Sequence, residues 1–344
     1  MHPKLLKILV CPPCQVELEC AAREVETDGD IVSGTLTCKK CNREYSIVSG
    51  IPRFVPMDNY ASSFGLQWNL FKSEQLDSHN GFDLSEKRFY SETGWDREWL
   101  NDKLILDAGC GAGRFLDVTS KAKVDVVGVD LSNAVDAAKS NTQGRSNVHL
   151  VQASIYELPF RPGTFDGVYC LGVVQHTPEP KKTLQCLAEM IKPGGRLGLF
   201  IYERKKQTML YSKYLIRPLT KRLKNETLLT LIKTTMPVLF PLTEVTFRIP
   251  VLNRVFQFMI PVSNYVGGNV INNPGLTMKQ RYQWALMDTF DMLSPEYDQP
   301  QTLQEVEETL NEAGVTNVRR TSRVGLCLDG QKNGNSAKEK GNKA

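Results

Sequence analysis

The most restrictive feature of this sequence is a junction near residue 107. Leu104-Ile105-Leu106-Asp107 is a short apolar run closed by a carboxylate. Ala108-Gly109-Cys110-Gly111-Ala112-Gly113-Arg114 follows it, and the pattern then turns helical at Phe115-Leu116-Asp117-Val118. A buried strand, a glycine turn and a helix start, in that order, make the opening unit of a doubly wound α/β domain. The glycines let the backbone approach a ligand closely, and a helix N-terminus is electropositive. A second strand pattern, Val124 to Val129, ends in Asp130, 23 residues after Asp107. A carboxylate there can accept hydrogen bonds from both hydroxyls of a ribose.

Dinucleotide-binding turns read G-x-G-x-x-G. Counted from Gly109, the third glycine of that fingerprint would fall at 114, but Arg114 stands there and the glycine is at 113. A carboxylate at 107 repels a pyrophosphate, whereas it attracts a ligand that carries an ammonium and a sulfonium. Further along, Val148–Val151, Phe165–Leu171 and Arg196–Tyr202 read as strands. A helix from about Pro180 to Ile191 is stopped by Lys192-Pro193-Gly194-Gly195. Leu303–Ala313 reads as a last helix, opened by Thr302 and Glu305 as a capping box. Val315–Ser322 and Val324–Leu328 are expected to close the sheet as a hairpin.

Four of the nine cysteines form two pairs, Cys11-x-x-Cys14 and Cys38-x-x-Cys41, in a β-rich stretch. Two such knuckles supply four thiolates to one tetrahedral zinc ion, with no open position for catalysis. About fifty residues hold too little core to fold without such a staple. Scattered remaining cysteines, Cys20 among them, favour a reducing compartment over a disulfide framework. No secretory signal and no long uncharged apolar run is visible, so the expected location is cytoplasmic.

The stretches "ILDAGCGAGRF", "VVGVDLS", "ELPFRPGTFDGVYCLGVVQH" and "IKPGGRLGL" resemble, in order, the motifs of class I S-adenosylmethionine-dependent methyltransferases, nearest the subgroup with quinone-biosynthesis enzymes. "LVCPPCQVELE" and "LTCKKCNREYSIVSGIPRFVP" resemble the small zinc-ribbon proteins that activate methyltransferases. The resemblance implies an α/β fold: a Rossmann-like class I methyltransferase sheet with an N-terminal zinc ribbon and a helical insertion. It implies S-adenosylmethionine as cofactor and structural Zn2+ on Cys11, Cys14, Cys38 and Cys41. Asp107, Gly109 and Gly111 would line the methionine moiety, Asp130 the ribose, and Ser154 and Ile155 the adenine. The family commonly has an acidic residue where this chain has Ser154, and a serine binds an amino group more weakly.

The expected segments are a ribbon over 1–56, a helical cap over 57–101, the core over 102–202, a helical lid over 203–302, a closing helix and hairpin over 303–331, and a disordered tail over 332–344. His176, beyond the fourth strand at the carboxyl edge of the sheet, is the candidate catalytic base. Its competing role is to hydrogen-bond the following turn. Tyr202, Gln67, Trp68, Asp288, Asp291, Tyr297 and Asp298 are further pocket candidates. The lid begins with a basic run from Arg204 to Lys224, and Pro237, Pro241, Pro250 and Pro261 are expected to break it into short helices. It reads as a cap with a solvated basic face, or as a surface for anionic lipid through 203–262, which would place the protein at the inner face of a membrane. The expected acceptor is a small molecule, a sugar or a lipid-linked group, with O-methylation favoured. RNA methylation and a non-catalytic scaffold are the alternatives. A net charge of only +4 and the lack of an RNA module disfavour nucleic acid.

Overall fold

The computed structural model describes residues 1–27, 29–56, 59–264 and 276–334. The N-terminal unit opens with helix α1 (Pro3–Leu6) and continues through strands β1 (Glu19–Val25), β2 (Ile31–Thr37), β3 (Glu44–Val48) and β4 (Ile51–Arg53). A cap of short helices follows: α2 (Ser62–Leu70), α3 (Asp77–Asn80), α4 (Leu84–Thr93) and α5 (Arg97–Leu100). The core then alternates β5 (Leu104–Ala108), α6 (Arg114–Thr119), β6 (Asp125–Asp130), α7 (Ala134–Asn141), β7 (Val148–Gln152), β8 (Phe165–Leu171), α8 (Pro180–Glu189) and β9 (Ile191–Ile201). Strands β5 to β9 are buried nearly throughout, as parallel strands covered on both faces must be.

All strands join one eleven-stranded sheet in the order β1-β2-β3-β4-β7-β6-β5-β8-β9-β11-β10. Helices α9 (Ser212–Thr220), α10 (Asn225–Thr246), α11 (Pro250–Met259) and α12 (Met278–Leu293) occupy the segment expected as a lid, and α13 (Leu303–Glu312) leads to the closing strands β10 (Val315–Ser322) and β11 (Leu326–Lys332). β11 runs antiparallel to β9. The α/β class read from the sequence is the one observed.

The ribbon is built into the sheet rather than tethered beside it. β4 meets β7 in parallel at Arg53 and Gln152. Arg53, 8% exposed, donates to Gln152 Oε1 at 2.8 Å and pairs with Asp136 at 2.6 Å. The Val10 amide donates to the Pro159 carbonyl at 2.9 Å. Leu5, Leu9, Leu36 and Ile47 of the ribbon share one hydrophobic cluster with Val129, Val151 and Phe160 of the core. The small unit thus borrows the core it lacks.

Three expectations need correction. First, the Lys192-Pro193-Gly194-Gly195 stretch does not merely stop a helix: it lies inside β9, which starts at Ile191 paired with Phe165. A bulge between Phe165 and Gly167 absorbs the irregular residues, and a Cβ on Gly195 would stand 2.6 Å from the Asp166 carbonyl. Second, the second hairpin strand begins at Leu326, not Val324, because Gly325 at φ +65° completes the turn. That strand also takes in Lys332, expected above in the tail; residues 335–344 of the expected tail lie outside the described residues.

Third, α10 runs 22 residues straight through Pro237 and Pro241. An interior proline orphans the carbonyl four residues earlier. Here those carbonyls belong to Lys233 and Pro237, both exposed, so water can satisfy them. The opposite face, with Leu228, Ile232, Met236 and Phe240, is buried in one cluster with Leu286 and Phe290 of α12, and that packing holds the helix together. Pro250 does open a new helix, and Pro261 follows its end.

Candidate functional site

The strand order reverses between β5 and β8, the point where open α/β sheets bind ligands beyond their carboxyl ends. The chain leaves β5 through Gly109, Gly111 and Gly113, all left-handed at φ +88°, +52° and +85°. The amides of Gly109 and Cys110 donate to the Val129 carbonyl at 2.7 and 3.0 Å, tying the turn to the end of β6. A Cβ on Gly109 would stand 2.4 Å from Val173 Cγ2, and one on Gly111 would stand 3.1 Å from Trp68 Nε1. Both positions therefore need glycine for conformation and for space. Trp68, carried by α2, closes over the turn.

Two carboxylates flank this cradle. Asp107 is 2% exposed, and its Oδ2 has no hydrogen-bond partner among the described residues. Burial pushes its carboxyl well above the ordinary range, the Tyr169 hydroxyl opposes the shift, and Asp130 adds to it. Asp130 accepts from the Gly111 amide at 2.9 Å and from the Ser132 amide and hydroxyl at 2.9 and 2.7 Å. Burial raises its pKa against those bonds. An ionised carboxylate has about four acceptor positions, so the three bonds orient Asp130 and leave about one position for a ligand hydroxyl.

A cavity of about 1130 Å³ opens from this turn. Gly109, Gly111, Asp130 and Ile155 line it, while Asp107 lies beneath the turn. Ser154 is not on its wall; its hydroxyl accepts from the Tyr156 amide at 3.2 Å and caps the turn Ile155–Glu157. Leu131 takes a wall position beside Asp130 instead. Tyr60, Phe64 and Trp68 also line the cavity. The first two were missed from sequence, although a four-residue spacing along α2 and its approach was there to be read.

His176 lies on the cavity wall with the Gly109–Gly111 turn and is 7% exposed. Its Nδ1 is 2.9 Å from the Tyr297 carbonyl, which only accepts, so Nδ1 carries the proton and Nε2 keeps the lone pair. The ring packs against Phe64 and Tyr202 at 5.3 and 5.5 Å between centroids. Burial lowers its pKa to about 4, while Asp298 and the Tyr297 carbonyl oppose the shift.

Trp68, Tyr202, Asp288, Asp291 and Asp298 share the same wall, with Gln67 and Tyr297 behind it. Burial and the neighbouring Asp288 push the Asp291 carboxyl up to about 7, against the Gln67 amide. Lys213 pairs with Asp298 at 2.8 Å, and the Arg217 guanidinium donates to the Met292 and Pro295 carbonyls at 3.0 and 2.8 Å. Part of the basic run is thus internal, clamping α9 onto the chain that leaves α12, rather than a solvated face.

In the ribbon, Cys11, Cys14, Cys38 and Cys41 place their sulfurs within 4.8 Å of one another, with Cys11 and Cys41 3.7 Å apart. Tetrahedral Zn–S bonds of about 2.3 Å put sulfurs about 3.8 Å apart, so the donor set fits a zinc ion. The two knuckles are alike: Gln15 and Asn42, each just after the second cysteine, turn the chain at φ 55° and 56°.

A glycine cradle between two acidic strand ends, on a parallel sheet closed by an antiparallel hairpin, defines a methyltransferase domain. Residues 106–199 match the methyltransferase-domain family, and residues 2–50 match the Trm112p-like protein family. The chain therefore carries an S-adenosylmethionine-dependent methyltransferase domain preceded by a Trm112p-like domain. An uncharacterized protein of Synechococcus sp. is 36% identical over 104 residues, 28% of this chain and 25% of that protein. The ubiquinone biosynthesis O-methyltransferase of Coxiella burnetii is 32% identical over 115 residues, 33% of this chain and 49% of that enzyme. The chain thus spans about half or less of the length of these curated relatives. Among solved structures, the complex between the Haloferax volcanii Trm112 methyltransferase activator and a putative methyltransferase is 18% identical, with a TM-score of 0.33 over 41% of this chain and 61% of that one.

Proposed function

We propose that the whole chain moves the methyl group of S-adenosylmethionine to a hydroxyl of a small-molecule, sugar or lipid-linked acceptor. One observation carries this reading: a single cavity joins the Gly109–Gly111 turn and Asp130 to His176 and Asp291. Gly109 and Gly111 would let the methionine end of the donor approach the backbone closely, with the Asp107 charge beneath the turn attracting its ammonium and sulfonium, Asp130 on its ribose, and Ile155 and Leu131 at the adenine edge. When bound, the cofactor supplies an activated methyl carbon for in-line displacement. The protein's contribution is alignment, where proximity contributes about 7–11 kcal/mol. His176 would take the hydroxyl proton at Nε2, and Asp298 would stabilise the imidazolium that forms.

Asp291 is the competing proton acceptor, because it lines the same cavity and its pKa of about 7 is better matched to neutral pH. Transfer of labelled methyl to acceptors from a cell extract, followed across pH, separates the two. Rate rising through about pH 7, and abolished by Asp291→Asn, assigns the base to Asp291. Rate flat down to about pH 4, and abolished by His176→Ala, assigns it to His176. Labelling of no acceptor in any fraction would overturn the transfer reading. RNA as acceptor predicts steeply salt-dependent RNA binding, and its absence removes that alternative.

A further inference from the structure

The lid exposes an apolar surface that none of the chemistry above uses. Leu215 and Leu219 of α9 stand 72% and 68% exposed, one turn apart. On α10, Leu231, Val238, Leu242 and Val245 are all exposed, and Ile249 is exposed just before α11. At 3.6 residues per turn the four on α10 fall within an arc of about 60°, opposite the face packed on α12. Val251, Val255 and Met259 repeat the pattern on α11. Soluble monomers rarely leave so much apolar surface on neighbouring helices without a partner.

Charge identifies the partner. Residues 203–262 hold eleven Lys and Arg against three Asp and Glu, although the whole chain carries a net charge of only +4, so the remainder is net acidic. Lys206, Arg222, Lys224 and Lys233 are exposed and make no ion pair among the described residues. Apolar stripes bordered by lysine and arginine suit the boundary between acyl chains and anionic headgroups.

We infer that this lid face rests on an anionic lipid bilayer. α10 is long and apolar enough to cross a membrane by length and composition. Its packed face argues against that: Glu244 pairs with Arg281 of α12 at 3.1 Å, and Met236 and Phe240 are buried. The helix lies along the surface with one stripe free.

The same segments wall the cavity. Thr208, Phe247, Ile260 and Leu276 line it, while their neighbours Met209, Ile249, Met259 and Met278 point to solvent. An acceptor dissolved in the bilayer would therefore reach the cavity through one layer of side chains. That last step rests on the methyl-transfer reading; the docking surface does not.

The test is sedimentation of the full chain with vesicles of phosphatidylglycerol and phosphatidylcholine, compared with phosphatidylcholine alone, with no turnover required. Binding to the anionic vesicles only, weakened by added salt, is expected. Val238→Glu with Val245→Glu should weaken it roughly tenfold or more, and Arg222→Glu with Lys233→Glu should do the same without touching the apolar stripe. Unchanged circular dichroism and unchanged S-adenosylmethionine affinity show that each variant is folded. Absence of sedimentation with either vesicle overturns the inference. Concentration-dependent self-association that the glutamate variants abolish, without vesicle binding, assigns the face to a second copy and also overturns it.

Discussion

In the proposed donor site, Asp107 would couple binding to pH. Its carboxyl is raised well above the ordinary range by burial. A bound ammonium and sulfonium favour the ionised form, so binding should release a proton, and affinity for S-adenosylmethionine should rise with pH through that raised pKa. Calorimetry in two buffers of unlike ionisation enthalpy should register the released proton, and Asp107→Asn should abolish both effects. A pH-independent affinity in the native protein would contradict this role. Asp130→Ala, which removes the proposed ribose acceptor, should weaken donor binding roughly 10–100-fold while the protein stays folded.

His176 gives a stability signature as well. Its pKa falls from 6.5 to about 4 on folding, so the unfolded chain binds more protons between those values. Stability should therefore drop as pH falls from 6.5 toward 4, by about 3 kcal/mol at most, and His176→Gln should flatten that part of the melting profile. The two carboxylates and the glycine turn were legible in the sequence because strand, turn and helix start are local. The Asp291 shift was not, since it comes first from burial, which only the packing of α12 in the fold creates. Nor was the inward use of Ser154 as a turn cap.

At the scale of elements, the capping box at α13 was readable from Thr302 and Glu305, and both of its bonds are present. Thr302→Ala should lower stability by about 1 kcal/mol in denaturant unfolding. The course of α10 was not readable: proline propensity is a local rule, and the packing of its buried face on α12 overrides it. The four cysteines converge as their spacing implied. Removing zinc with a chelator should speed hydrogen exchange across β1 to β3 and lower the first melting transition, while β5 and β6 stay protected. An unchanged melt, with no zinc found by elemental analysis, would count against the metal's structural role.

At the scale of the whole molecule, alternating strands and helices made the fold class legible before any coordinates. The joining of ribbon and core into one sheet was not legible. It depends on a three-residue strand, a single ladder contact at Arg53, and a hydrophobic cluster drawn from both units. The basic run misled for the same reason, because the partners of Lys213 and Arg217 come from residues 75 to 85 positions away. What unites the molecule is the cavity at the strand-order reversal, lined by the Gly109–Gly111 turn and by Asp288, Asp291 and Asp298. The most direct test is calorimetric titration of the full chain with S-adenosylmethionine, with NAD as the comparison ligand. Saturable one-site binding of S-adenosylmethionine, weakened roughly 10–100-fold in Asp130→Ala and not matched by NAD, is the predicted result. No binding of S-adenosylmethionine, or tighter binding of NAD, would contradict it.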